Sequence, residues 1–172
     1  MAEKKISTKW FRDMLSGDEG HVHRIKRVLY RKKSKYQWIT IVELACCGRA
    51  LILDGKMNTA KKDEFIYHEP LVHTPLLCHP NPKRMFIAGG GEGTAAREAL
   101  RHKSVEYVLT VDIDEEVTKG ARLHLPEWAC AFEDPRAEIK WLDAREYLEK
   151  SEDRYDVIVI DRMKKRIFLF CL

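Results

Sequence analysis

The run Gly89-Gly90-Gly91-Glu92-Gly93-Thr94 places one carboxylate inside a glycine turn that follows an apolar segment and opens a helical one. Such a turn is a nucleotide-binding signal, because glycine lets backbone and ligand approach closely. Gly91-Glu92-Gly93-Thr94-Ala95-Ala96 even fits the relaxed G-x-G-x-x-A dinucleotide pattern. Glu92 argues against a pyrophosphate, since two unit charges ~4 Å apart at an effective dielectric near 20 interact by about 4 kcal/mol. The same carboxylate attracts a sulfonium or an ammonium group. Three further acids, Asp112, Asp143 and Asp161, fall at the ends of predicted strands. A single Asp there is ordinarily a helix N-cap. Four acids at one sheet edge point to a site, and Asp112 lies where acidic side chains accept ribose hydroxyls. Asp143 is placed to meet an adenine amino group. Together these residues predict an adenosine compound with a cationic side chain as ligand.

The elements that must position them alternate. Residues 85–88 predict a short buried strand, 94–102 a helix, 107–113 a strand and 115–123 a helix. Residues 139–142, 144–150 and 157–160 continue as strand, helix and strand. Strands alternating with helices mean a parallel α/β sheet with right-handed crossovers. Ahead of it, residues 21–60 carry strand signals, clearest over 36–44 and 50–53. Asp54-Gly55 directly after the second of these runs predicts a tight hairpin turn. Residues 63–79 suit a helix, or two short ones interrupted at Pro70 and Pro75. Pro80-Asn81-Pro82 makes a rigid break. The expected organisation is an antiparallel β module over residues 1–62, a helical connector over 63–82, a partial Rossmann-like domain over 83–161 and a divergent tail over 162–172.

Composition narrows the function classes. With 172 residues the chain can bury a sizeable core, and its net charge of +4 does not imply a nucleic-acid binder. The basic stretch 24–35 reads as the solvated face of an exposed hairpin, without the glycine-aromatic pattern of RNA binders. Five cysteines without C-x-x-C spacing argue against a zinc site or a disulfide framework and for a reducing compartment. No signal-like leader and no apolar run of ~20 residues is present, so the expectation is a cytoplasmic protein without membrane association.

Several ordered blocks resemble the polyamine aminopropyltransferases, the spermidine, spermine and thermospermine synthases. They are Leu53-Asp54-Gly55-Lys56, Asp63-Glu64-Phe65-Ile66-Tyr67-His68-Glu69, His79-Pro80-Asn81-Pro82-Lys83, the glycine turn, Asp112-Ile113-Asp114, and Tyr155 to Asp161. Tyr67-His68-Glu69 and Glu92 look most like plant-type thermospermine synthases, since typical spermidine synthases have Gln and Asp at the His68 and Glu92 positions. The resemblance implies a class I methyltransferase-like fold and decarboxylated S-adenosylmethionine as co-substrate, with no permanently bound cofactor and no metal. It implies a polyamine acceptor (spermidine, spermine or putrescine) and a homo-oligomer. By position, Gln37 and His68 would contact the nucleoside along with Gly89, Gly91 and Gly93. Glu92 would meet the aminopropyl arm, Asp112 the ribose, Asp143 with Ala144 the adenine, and Tyr67 the polyamine. On the residues alone, Gln37 reads equally as a strand-surface residue and Tyr67 as a packed aromatic.

One departure is prominent. The family pattern after the fourth strand is Asp-x-x-Asp-Pro, whose second aspartate deprotonates the attacking amine. Here Asp161 is followed by Arg162-Met163-Lys164-Lys165, so Lys164 stands at the base position. The expectation is an abbreviated relative with little or no transfer activity. A ligand-binding or subunit-pairing fragment and an S-adenosylmethionine methyltransferase are the alternatives.

Overall fold

The computed structural model describes residues 10–14 and 16–161. Lys164 and the tail expectation lie outside them. The chain opens with five antiparallel strands in sequence order: β1 (Trp10–Met14), β2 (Gly20–Lys33), β3 (Trp38–Leu44), β4 (Gly48–Leu53) and β5 (Lys56–Ala60). The turn between β4 and β5 is the one expected at Asp54-Gly55, with φ of 49° and 72°. Both values are positive, as the hairpin turn that matches strand twist requires. Strand β2 carries the basic stretch largely into solvent, and part of it is paired, Arg27 with Glu43 and Lys32 with Glu116. Strand β1 was not expected from the sequence. Its five residues alternate exposed and buried, and Phe11 supplies the inward contact.

One helix, α1 (Glu64–Cys78), follows without interruption. Of the two arrangements expected, the single helix is the one formed, with Pro70 and Pro75 both inside it. Each proline removes one backbone donor and costs about 3 kcal/mol in a helix interior. The opposing term is the face formed by Glu64, His68, Val72 and Leu76, all buried at a spacing of four. Val72 and Leu76 sit in one core with Met85, Ile87, Ala95 and Ala99, and burying each aliphatic side chain contributes about 1.5–3 kcal/mol.

The second sheet is parallel, in the order β8-β7-β6-β9. Its strands are β6 (Arg84–Gly89), β7 (Tyr107–Asp112), β8 (Ala137–Trp141) and β9 (Val157–Asp161), with helices α2 (Thr94–Leu100), α3 (Glu115–His124) and α5 (Ala144–Lys150) between them. The short α4 (Pro126–Ala129) and a 3₁₀ turn at Cys130–Glu133 were not expected. Strands β6 and β7 are central, and their middle residues, Met85 to Ile87 and Val108 to Val111, are buried, which is why they read as continuous runs.

The two sheets share a core. Ile39, Ile41 and Leu51 of the β module pack with Val117, Ala121, Leu125 and Trp128. Gly120, in mid-helix, makes this contact possible, because a Cβ there would stand 3.0 Å from Tyr30 Cε1 and 3.3 Å from Ile41 Cδ1. Among the described residues, no helix is long and apolar enough to cross a membrane.

Candidate functional site

Strand register brings the acids together. Gly89 at the end of β6 pairs with Asp161 of β9, and Ala88 pairs with Val111, one residue before Asp112 of β7. The two aspartates therefore flank the glycine turn from either side. Gly89, Gly90 and Gly93 adopt φ of 90°, 73° and 98°, the left-handed region that glycine alone enters freely.

On the side where a Cβ would stand, the clearance at Gly90, Gly91 and Gly93 is filled by the protein. A Cβ on Gly90 would lie 2.8 Å from Asp161 Oδ2, and one on Gly91 would lie 2.9 Å from Asp112 Cγ. One on Gly93 would meet the Trp128 carbonyl oxygen at 2.7 Å. The turn is then locked by hydrogen bonds. Gly91 N–H donates to Asp112 Oδ2 at 2.9 Å, and the Thr118 hydroxyl donates to the Gly91 carbonyl at 2.8 Å. Asp112 also accepts from the Asp114 N–H at 2.8 Å. Burial raises the Asp112 carboxyl, with Glu92 and Asp114 adding to it, while its two backbone donors oppose the rise.

Helix α1 carries His68 to the same place. Its ring is buried, with Nδ1 2.7 Å from the Glu64 carbonyl oxygen. Nε2 faces Glu92 Oε1 at 3.7 Å and Asp161 Oδ2 at 3.8 Å. Both of those oxygens are buried and, beyond these ion pairs with His68, have no hydrogen-bond partner among the described residues. Burial opposes the imidazolium, but the Glu64, Glu92 and Asp161 carboxylates outweigh it and lift His68 to about 10. Asp161 is pushed up to about 7, first by burial and then by Glu92, while His68 pulls it down. Tyr67 meets the His68 ring edge-on at 5.0 Å. Burial and the charges of Asp161 and Glu92 push its hydroxyl up to about 12. The arrangement is a buried, acid-rich recess with one internal cation. Two carboxyl groups share a single imidazolium there, and the raised Asp161 carboxyl reflects their crowding.

Behind His68 the acids continue as a paired network. Glu64 Oε1 accepts from Arg97 at 2.6 Å, and Arg97 also donates to Glu98 at 2.7 Å. Sequence reasoning did not single out Glu64, Arg97 or Glu98. Their spacing on two helices carries no local signal, since only tertiary packing of α1 on α2 joins them.

The remaining expected residues are placed differently. Gln37 Nε2 donates to Asp114 Oδ2 at 2.9 Å, and the Ser34 hydroxyl donates to the same oxygen at 2.7 Å. Asp114, buried and capping α3 through Glu116 N–H, is thus the tie between the β module and the parallel sheet. The Asp-x-Asp spacing after β7 was its only sequence signal. Asp143 is exposed, and its Oδ1 accepts from Arg145 and Glu146 N–H at 2.9 and 3.1 Å, an N-cap for α5. Ala144 packs with Phe86, Leu109 and Val111. Of the acids expected at one edge, Glu92, Asp112 and Asp161 converge around the turn, and Asp143 does not join them.

Residues 64–168 match the spermine/spermidine synthase domain family, and residues 9–61 match the spermidine synthase tetramerisation domain. A polyamine aminopropyltransferase of Caldicellulosiruptor saccharolyticus is 39% identical over 94% of this chain and 57% of its own length. One from Aeropyrum pernix is 43% identical over 93% of this chain and 52% of its own. Among solved structures, a spermidine synthase in complex with the transition-state analogue AdoDATO superposes with a TM-score of 0.87 at 41% identity. That match covers 90% of this chain and 53% of the other. Spermidine synthase from Thermotoga maritima gives a TM-score of 0.86 at 42% identity, covering 88% and 54%. The chain thus spans about half the length of the curated relatives it matches.

Proposed function

The chain belongs to the spermine/spermidine synthase family, and from that premise we propose that its acid-rich edge binds decarboxylated S-adenosylmethionine for aminopropyl transfer to a polyamine. The observation that carries this reading is a pair of buried oxygens, Glu92 Oε1 and Asp161 Oδ2, that share one imidazolium, His68 Nε2, and have no hydrogen bond among the described residues. A buried anionic oxygen without a hydrogen bond is costly. A sulfonium or ammonium supplies a further partner, whereas a pyrophosphate would raise the cost. The AdoDATO complex of a solved relative supports the same ligand class. Asp112, held beside Gly91, is the group for the ribose, and Asp143 with Ala144 the group nearest the base. Gln37 acts on the nucleoside through Asp114, and Tyr67 lines the acceptor side.

In the transfer, an amine lone pair attacks the aminopropyl carbon next to sulfur. The carbon–sulfur bond breaks, its electrons neutralise the sulfonium, and methylthioadenosine leaves. The attacking nitrogen, an ammonium near neutral pH, must first give a proton to a base to free that lone pair. By sequence the family's base position holds Lys164, a cation that repels a polyamine and accepts no proton in its charged form. We therefore assign this chain ligand binding with little turnover. His68 and Glu92 favour a thermospermine-type acceptor over the spermidine-synthase type, and the residues matching a tetramerisation domain support a homo-oligomer.

Release of methylthioadenosine from decarboxylated S-adenosylmethionine, with spermidine, spermine or putrescine as acceptor, tests this. Turnover should be near background, and Lys164→Asp should raise it by on the order of 10²-fold, as general bases contribute 10²–10⁴. Wild-type turnover that Lys164→Asp leaves unchanged would overturn the assignment.

A further inference from the structure

Away from that site, the β module gathers three soft or borderline ligands at one corner. Strand register makes the cluster. Leu44 pairs with Gly48, so Ala45-Cys46-Cys47 is a three-residue hairpin loop closed by Gly48 at φ 74°. The loop folds over β2, where Ala45 N–H donates to the Arg24 carbonyl at 2.9 Å. Lys62 N–H donates to the Cys47 carbonyl at 3.2 Å and holds its other side. His23, one residue before Arg24, then meets the loop. Its Nδ1 is 3.4 Å from Cys46 Sγ, and Cys46 Sγ is 2.7 Å from Cys47 Sγ. The three ligand atoms all lie within 4.8 Å of one another. The ring is stacked on Phe11 at 6.1 Å, and its Nε2 is buried with no hydrogen-bond partner among the described residues.

We propose that His23, Cys46 and Cys47 form a binding site for a thiophilic metal ion of the zinc class, one per chain, that clips the β3–β4 loop to β2. Two thiolates and an imidazole are the donor set such ions select. Tetrahedral zinc with bonds of ~2.3 Å to sulfur needs the sulfurs ~3.7 Å apart. Reaching that separation takes a side-chain rotation of Cys46, which is exposed. Three protein ligands leave a fourth position for water. The Asp63 charge acts on Cys47, and Lys62 opposes it. Burial and the neighbouring Cys46 push the Cys47 thiol up to about 12. Metal uptake therefore releases protons and strengthens as pH rises.

The absence of C-x-x-C spacing hides this site from the sequence. The cysteines are adjacent, and the histidine arrives from another strand.

The test uses the full chain reduced with a non-thiol phosphine and titrated with Zn²⁺ against a chromophoric chelator. One zinc per chain is expected, with affinity falling at least about tenfold in Cys46→Ser, Cys47→Ser and His23→Ala. Cys78→Ser and Cys130→Ser should bind as wild type. A second measurement needs no variant. Zinc should protect Cys46 and Cys47, but not Cys78 or Cys130, from alkylation followed by mass spectrometry. No saturable uptake, or equal protection of all four cysteines, would overturn the proposal.

Discussion

The carboxyl edge of the parallel sheet behaves differently at its centre and at its rim. Around the central strand β6, Glu92, Asp112 and Asp161 are drawn inward, where burial raises the Asp112 and Asp161 carboxyls and two acid oxygens have no hydrogen bond among the described residues. At the rim strand β8, Asp143 occupies the equivalent strand-end position, yet stays in solvent and caps a helix. All four residues look alike in the sequence. What separates them is the cover over the strand end. Strand β9, like β8, has one strand beside it among the described residues, yet the side chain of its Asp161 is buried against His68 of α1. Asp143 is exposed and caps the helix that follows it. Acid chemistry at a strand end is thus made by what packs over it as much as by residue type.

The largest expected effect tests the packing of the centre. Gly93→Ala puts a methyl 2.7 Å from the Trp128 carbonyl oxygen at φ 98°. It should lower unfolding free energy by about 3 kcal/mol in urea titration, as strained φ and a backbone clash together imply. A change under ~0.5 kcal/mol would mean that the turn is not locked as described.

The next contrast is in pH. His68 stands at about 10 against an ordinary 6.5, so its stabilisation is complete below pH 6.5 and is lost as pH rises toward 10. Asp161 stands at about 7 against 3.8, so its contribution is likewise complete at low pH and lost through pH 7. Stability should therefore fall across the alkaline range, by an amount of order 2 kcal/mol between pH 7 and 10. His68→Gln should flatten the part of that fall above about pH 8. Parallel curves for the two proteins, measured as urea midpoints, would remove His68 from the account.

The smallest effect belongs to the rim. Asp143→Ala should cost about 1 kcal/mol, the ordinary value of a helix cap, with nucleoside affinity reduced less than tenfold. A loss of affinity well beyond tenfold would give this rim acid the same weight in ligand binding as the central ones and break the contrast between centre and rim.

Much of this was legible in the sequence where the signal is local. Asp54-Gly55 specified its hairpin because positive φ at two successive residues admits few other types. The glycine turn and the order of strands and helices were equally local, and α5 begins and ends where its pattern does. What escaped depends on partners distant in the chain. Gly93 is required by the carbonyl of Trp128, which lies in a short helix with no periodicity of its own. Continuous α1 depends on packing that outweighs two prolines. Gln37 was read as a ligand contact, but its amide is engaged by Asp114, 77 residues away. Glu64 and Arg97 meet only because α1 lies on α2.

The central claim is that the buried oxygens of Glu92 and Asp161 select a positive charge next to the adenosine. Calorimetric titration of wild type and Glu92→Gln with decarboxylated S-adenosylmethionine and with the neutral thioether methylthioadenosine tests it most directly. Glu92→Gln should weaken the cation by about tenfold or more, in line with a lost charge-assisted interaction of ~1.5–3 kcal/mol, and the thioether by less than threefold. Equal losses for both ligands, or wild-type binding of the thioether as tight as that of the cation, would contradict it.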